Sequence, residues 1–480
     1  MSSLSTKILS NNEVEFMKER IEELLSKKGV IISHQEVLGL LKEAGAEVNG
    51  TNVRFPKHII DEALKSVPKE FKLAGIDPKY DMEYPHPTGS FYTRTNTGGM
   101  TYLSADHDYR NITLEDVKEW VRLTNCMDNI DFVCLPSTTP KEVPGETVDI
   151  HTLRVVLENS KKHIWVQPYE GENVKYLIEM AQAFVGGEQE LRERPIISLI
   201  ACSTPSFEYK NMDMEIILQG CRNGVPIQPC SLPAAGANGP ITLQGTALMA
   251  CTEVMAMIIT AQLIAPGTPV IATPLLFAMD MLTTCTIQSP IEVTMGRVAA
   301  VQIFQDGYGI PAHSYGTGTD SNDLDSQNFI ERTSLTQMMA LSGASILGGA
   351  GQLEVAKTIS PIQLIIDNDI FGMARKLVKG FEINDETLGY QELMDISHGQ
   401  SFITLDHTFK YFKDAYRPET FNRDSKTVWE TKGAKDTLTK AREIFDVFKK
   451  DYKHLSVPEE QLHAMDVVLK KAESKLVKTK

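Results

Sequence analysis

The chain has no cysteine pair with the spacing of a zinc site or a disulfide framework. Its 7 cysteines are scattered through 480 residues with no CxxC or Cys-x-His pattern, so buried free thiols are expected. No GxGxxG-and-acid pair and no Walker loop occurs, which removes the usual signatures of nucleotide-binding open sheets. Basic residues are in deficit, 48 Lys and Arg against 63 Asp and Glu, for a net charge of -15. That balance excludes a nucleic-acid partner, because neutralising phosphates needs clustered cations. The acidity serves solubility or docking on a partner with a basic face. Uninterrupted apolar runs are missing too. Residues 1–12 are polar, without the apolar core of a signal peptide. The longest apolar stretch, 247–265, is broken by Thr252, Glu253, Thr260 and Gln262, which suits a helix buried in a large protein better than a membrane span. The expected location is cytoplasmic, with no membrane contact.

What is present is a strand–helix rhythm. Near the start, Val14, Met17, Ile21, Leu24 and Leu25 recur at helical spacing until Gly29. Further helices are expected from Ser33 to Ala44 and from Pro56 to just before Pro68, then short extended pieces at 71–74 and 91–94. Residues 1–111 read as an N-terminal subdomain of helices and small strands. From Thr113, where Thr113 and Asp116 form a capping-box pattern, the chain alternates β-rich runs with helical patterns. The runs are 132–135, 164–167, 196–202, 226–231, 269–273, 310–314, 345–349 and 363–366, and most end in Pro, Gly or Ser. An α/β fold follows, a (β/α)8 TIM barrel over 112–405, with a doubly wound open sheet as the alternative. Residues 406–480 read as a helical C-terminal extension, a cap or an oligomer contact, ending in a helix with Lys470, Lys471, Lys475 and Lys478.

In such a barrel the loops after the strands share one mouth, where chemistry is placed. The richest of them is 309–327, a strand end running into GTGTD and three aspartates before a helix. His313 stands at the strand end, with Tyr315 and Asp320 in the loop.

Several ordered stretches carry a family resemblance: GANGPITLQG at 236–245, Glu253, QLIAPGTPV at 262–270, Asp280 and Met281, PIE at 290–292, TDS at 319–321, DSQ at 325–327, Glu331, and Gly343 with Ala344. The chain resembles the trimethylamine methyltransferase family, in its branch that lacks pyrrolysine and includes glycine betaine:corrinoid methyltransferase. The similarity runs from about residue 12 to 433. It implies a TIM barrel that moves a methyl group from an amine to the cobalt of a corrinoid (cobalamin) carried by a partner protein, with no cofactor held tightly by the chain itself, and a homo-oligomer. In that family the pyrrolysine of the methylamine enzymes falls in the region of the 315–320 loop. This chain has ordinary residues there, which points to a quaternary amine such as glycine betaine, proline betaine or carnitine.

A quaternary ammonium leaves as a neutral tertiary amine and needs no proton, so positioning and charge carry the catalysis. For the cation, Tyr315, Phe277, Tyr169, Trp165 and Tyr92 are candidate aromatic faces, each of which also reads as core packing. For a substrate carboxylate, Arg94, Asn96, His313 and Gln288 are the donors considered. Asp320 orients the loop, caps a helix or faces the cation. Glu253, inside an apolar helix, makes a structural hydrogen bond or touches substrate. His313 contacts substrate or corrinoid, or is structural, and no metal site is expected. Two other readings compete: a Schiff-base aldolase or lyase, for which Lys162 and Lys357 are poorly placed, and a betaine-binding barrel without turnover.

Overall fold

Short buried runs, each followed by a helix, close into one barrel. The computed structural model describes residues 6–137 and 140–477; Lys478 of the basic tail lies outside them. Numbering only the barrel's own elements, the first half is β1 Tyr92–Thr95, α1 Leu114–Asn125, β2 Phe132–Cys134, α2 Val148–Asn159, β3 His163–Val166, α3 Val174–Val185, β4 Ile197–Cys202 and α4 Asn211–Asn223. The second half is β5 Ile227–Ser231, α5 Leu243–Ile264, β6 Thr273–Pro274, α6 Ile291–Gln302, β7 His313–Tyr315, α7 Ser326–Leu341, β8 Ile346–Ala350 and α8 Pro361–Lys379. Paired strands run parallel, and β8 returns to β1. Between β6 and β7 the ring is completed by Ala272 N to Pro311 O and His313 N to Ala272 O, both 2.8 Å. A closed ring has no edge to protect. The TIM barrel expected from the strand–helix rhythm is therefore present.

Seven of the eight expected runs supply barrel strands, and the eighth does not. Residues 363–366 lie inside α8, which opens with Pro361 in its first turn and buries Ile362, Ile365, Ile366 and Ile370 at helical spacing. A four-residue apolar run cannot distinguish strand from buried helix by period alone. The missing strand is β1, assigned from sequence to the short extended pieces of 1–111. All four of its residues are buried, so alternation gives no sign of it. The barrel thus begins inside that N-terminal stretch.

The flanking elements brace the barrel. Thr113 and Asp116 form the capping box at α1, while His34, not Ser33, caps the helix Gln35–Glu43. Strand Val30–Ile32 pairs with Glu208–Tyr209 in the loop after β4, so the N-terminal sheet holds part of the mouth. Helix α5 is long and apolar enough to cross a membrane by length and composition, but 83% of that window is buried inside the protein. The C-terminal helices Thr437–Asp451 and Glu459–Leu476 lie on the barrel's outside, tied by Lys449 to Glu119 at 3.0 Å and Lys471 to Glu179 at 2.7 Å. Cys134, Cys221, Cys230 and Cys251 are buried free thiols as expected, whereas Cys126 and Cys285 are exposed.

Inside the ring, side chains two residues apart share a face. His163 and Trp165 of β3 both point inward. The lower layer is polar: His163 bonds Ser198 at 2.9 Å and the carbonyl of Ala74 at 2.9 Å, and Gln228 donates to Ser198 at 3.0 Å. Above it lies the candidate site.

Candidate functional site

Three strands bring Arg94, Trp165 and His313 together, all fully buried or nearly so. Arg94 Nε donates to His313 Nε2 at 3.0 Å, and its guanidinium lies 3.7 Å from the Trp165 ring centroid. Trp165 meets the His313 ring edge-on at 5.1 Å. The arrangement needs space from β8, where Gly348 stands. A methyl group there would sit 2.5 Å from His313 Nε2 and 2.7 Å from the Arg94 guanidinium, so no other residue fits without moving the pair. Burial, reinforced by the Arg94 charge, holds the His313 imidazole well below its ordinary value. His313 is therefore neutral, with Nε2 accepting and Nδ1 carrying a proton that has no partner.

One layer toward the mouth stand Tyr315 and Phe277, ring centroids 6.2 Å apart, with Tyr315 6.5 Å from His313. A second cation joins them that sequence reasoning missed. Arg297, from α6, has its guanidinium 5.5 Å from both the Phe277 and Tyr315 rings. It donates to the carbonyl of Leu276 through Nε at 3.0 Å and Nη2 at 2.6 Å, and its buried Nη1 has no partner. Burial brings its pKa down to about 10. Neither Arg94 nor Arg297 is ion-paired with a carboxylate among the described residues. The available sequence signal was a lone arginine in the apolar helix VTMGRVAAV, where every residue from Gly296 to Gln302 is buried.

The carboxylates of the mouth are consumed by the protein. Glu253 reaches from α5 to the ends of β4 and β5, accepting from Ser203 Oγ and Ser231 Oγ, each at 2.6 Å, and from Phe207 N at 2.6 Å. Burial still raises its carboxyl above the usual range. Asp320 accepts from Gln288 N at 2.8 Å and Ser289 N at 3.2 Å, clipping the loop after β7 to the loop before α6. Its own amide donates to Glu331 at 2.9 Å. Of the roles weighed for Asp320, loop orientation matches these bonds, and the helix cap belongs to Asp325, which accepts from Asn328 N at 2.9 Å. Gln288 lies behind the loop, donating to Thr319 O and Gln352 Oε1, both at 3.2 Å, with its own Oε1 unpartnered. Asn96 donates to Ala356 O at 3.0 Å and leaves Oδ1 unpartnered.

Tyr92 is not brought to this group. It begins β1, at the opposite end of the barrel from the mouth, and its hydroxyl bonds both the amide and the carbonyl of Glu83 while its ring packs on Tyr84 and His86. Its proximity to Arg94 in sequence misled, because two residues along a strand are a full layer of the barrel. Tyr169 is half-buried on the loop after β3, with its hydroxyl oxygen enclosed and unpartnered. The lysines of the Schiff-base reading are unsuited: Lys162 Nζ donates to the carbonyls of Thr124, Met127 and Ile130, and Lys357 is exposed beside Glu354.

Residues 2–475 match the family described as trimethylamine methyltransferase (MTTB). The chain belongs to that family. It is similar to the trimethylamine methyltransferase MttB of Desulfitobacterium hafniense (strain DSM 10664 / DCB-2), 31% identical with 94% of this chain and 90% of the relative covered. It is similar also to the glycine betaine methyltransferase of Desulfitobacterium hafniense (strain Y51), 27% identical with 88% of each covered. Among solved structures, the monomethylamine methyltransferase (MtmB) of Methanosarcina barkeri aligns with a TM-score of 0.46 at 13% identity, over 96% of this chain and 92% of that one. As a trimethylamine methyltransferase family member the chain is a methyltransferase, and the Arg94–Trp165–His313 and Arg297–Phe277–Tyr315 groups are the candidate place for its substrate.

Proposed function

We propose that this chain moves a methyl group from the quaternary nitrogen of a betaine to the Co(I) of a corrinoid carried by a separate protein. The observation that carries this reading is a pair of buried guanidiniums, Arg94 and Arg297, set among Trp165, Tyr315 and Phe277 with no carboxylate partner among the described residues. A betaine is the complementary ion: its carboxylate pairs with a guanidinium and its methylated nitrogen lies against aromatic faces. Trimethylamine carries no anion to offer.

The chemistry supports the same choice. The methyl carbon leaves nitrogen with the bonding pair retained on nitrogen, so a neutral tertiary amine departs, and the acceptor supplies the pair for the new bond. No proton is required of the protein. The groups at hand agree: His313 is neutral and engaged by Arg94, and Glu253 and Asp320 are fixed in protein hydrogen bonds. What the residues contribute is orientation and charge placement in a site shielded from water. The 315–320 loop, where the family resemblance places pyrrolysine, carries ordinary residues.

The deciding experiment is an anaerobic spectrum of a Co(I) corrinoid protein with this chain and glycine betaine, proline betaine, carnitine or trimethylamine. Conversion to the methylated corrinoid with a betaine and not with trimethylamine is expected. Conversion with trimethylamine alone, or none with any betaine while another methyltransferase works on the same corrinoid protein, would overturn the reading.

A further inference from the structure

The proposed function leaves the barrel's thiols without a task, and two of them face each other. Cys202 ends β4, Cys230 lies in β5, and the two are direct partners in the parallel pairing of those strands. Their direction follows from their neighbours. Ser203 and Ser231, the next residue after each, turn outward to Glu253 on α5. Successive strand residues alternate faces, so both cysteines turn into the barrel. Ser198 and Gln228, which share those inner faces, bond each other at 3.0 Å one level down. Paired strands lie about 4.8 Å apart, and a disulfide needs roughly 4.4–6.8 Å between Cα atoms with the side chains on one side. This pair meets both conditions. Ser203 N donates to Cys230 O at 2.9 Å, so the strands are still held together at that height.

The surroundings of the two thiols differ from those of the other buried cysteines. Burial pushes the Cys230 thiol well above its ordinary value and the adjacent Cys202 thiol raises it further. Burial also raises Cys221 and Cys251, but no second thiol acts on either. A cysteine buried alone behaves as a small apolar residue, whereas two in contact can react with each other. Cys230 is fully buried and Cys202 is half-buried. On Tyr315, burial acts first, then Arg94, Cys230, Arg297 and Cys202, so the thiols share the space of the candidate site.

We propose that Cys202 and Cys230 are a redox-active dithiol in the wall of the candidate site, closed to a disulfide by hydrogen peroxide and reopened by small dithiols. Cys202, the more open of the two, attacks. Its sulfur bonds one peroxide oxygen, the O–O bond breaks, and the other oxygen leaves as water with the thiol's proton, giving a sulfenic acid. The Cys230 sulfur then displaces the sulfenic hydroxyl, which departs as a second water with the Cys230 proton, and the S–S bond forms. Two thiols lose two hydrogens and one peroxide is reduced. Burial makes Cys230 a poor attacker on peroxide, but it is placed to resolve the sulfenic acid beside it. None of this depends on which amine the site takes.

The test is a peptide map of the folded full chain, first reduced, then treated with hydrogen peroxide, and finally blocked with iodoacetamide and digested without reductant. A peptide linking Cys202 to Cys230, lighter by two hydrogens than its separate halves and released by dithiothreitol, is expected. Cys230→Ser should strand Cys202 as a sulfenic acid that dimedone labels, while Cys202→Ser should abolish both the link and the label at this place. Timed alkylation of the untreated wild type with N-ethylmaleimide supplies a readout that needs no variant: Cys202 should react before Cys230. The proposal is overturned if both thiols survive while the exposed Cys126 and Cys285 oxidise. It is overturned equally if either pairs instead with Cys134, if the link forms only in urea, or if Cys230 reacts first.

Discussion

Arg332 and Arg297 leave neighbouring helices, α7 and α6, and both are completely buried, yet they end in opposite surroundings. Arg332 Nη1 pairs with Asp367 at 2.9 Å, its Nε donates to Asn328 at 2.9 Å, and its Nη2 donates to the carbonyl of Gln352. Asp367 is completed by Gly351 N at 2.7 Å and Gln363 at 3.0 Å. Arg297 has one carbonyl, two aromatic rings and an empty-handed Nη1. Burying a charge is costly, and a paired charge recovers part of that cost inside the fold. An unpaired one recovers it only from a ligand. The contrast separates an arginine that holds the barrel together from one that, on the proposed function, is left to hold what enters it.

The largest effect should come from breaking the paired side. Arg332→Ala leaves the Asp367 carboxylate buried alone and should remove about 3–5 kcal/mol of stability, read by denaturant unfolding at pH 7. Burial raises the Asp367 carboxyl above the ordinary carboxylate range even beside Arg332, so a loss under about 1 kcal/mol would show a carboxyl that simply takes up a proton. The pair would then not be what holds this part of the barrel together.

Replacing Arg297 should behave in the reverse way. Arg297→Met removes a buried cation with no carboxylate partner, and the fold should lose at most about 1–3 kcal/mol, the cost of leaving the Leu276 carbonyl without its donor. Betaine binding should weaken by about 1.5–3 kcal/mol, the range for a hydrogen bond to a charged group, or roughly ten- to a hundredfold in Kd. Choline, which has the quaternary nitrogen without the carboxylate, is the control for calorimetric titration. Equal losses for choline and betaine would mean that Arg297 merely holds the loop at Leu276.

This contrast also marks what could be read from residue order. Strands that end in Pro, Gly or Ser advertise themselves, which is why β2 to β8 were legible. The fully buried β1, with four inward or packed residues and no alternation, was not. Tyr315, Phe277, Trp165 and His313 were legible because strand ends are where a barrel gathers its chemistry, whereas Arg94 was singled out only as a donor for a substrate carboxylate, ahead of the expected barrel. Arg297 was not, because it approaches from a helix behind the strands, and nothing in one dimension says that α6 turns that face inward. Glu253 was ambiguous for a related reason: its purpose is set by Ser203 and Ser231, 50 and 22 residues away. Gly348 looked like any strand glycine until Arg94 and His313 were seen to occupy its missing side chain.

Arg94 sharpens the comparison from a third side, since its partner is an imidazole. Protonating His313 would set a second cation 3.0 Å from Arg94 Nε, and its proton affinity in the folded chain is lowered accordingly, burial first and Arg94 second. The unfolded chain takes up that proton near the ordinary histidine value of about 6.5. Below that pH the unfolded state binds a proton the native state refuses, so stability present above about 6.5 falls as the solution is acidified. Other groups overlap this window. His163, lowered to about 4 by burial, acts in the same direction, while Asp149 and Asp213, raised to about 6 by burial, act against it. The difference between wild type and His313→Gln isolates one of them. The glutamine oxygen can still accept from Arg94 Nε but does not titrate. Between pH 6 and 5 the wild type should lose up to about 1.4 kcal/mol per pH unit more than the variant. Parallel curves would mean that the native imidazole carries its proton, and Arg94 would then have to be bonded to something other than a bare Nε2.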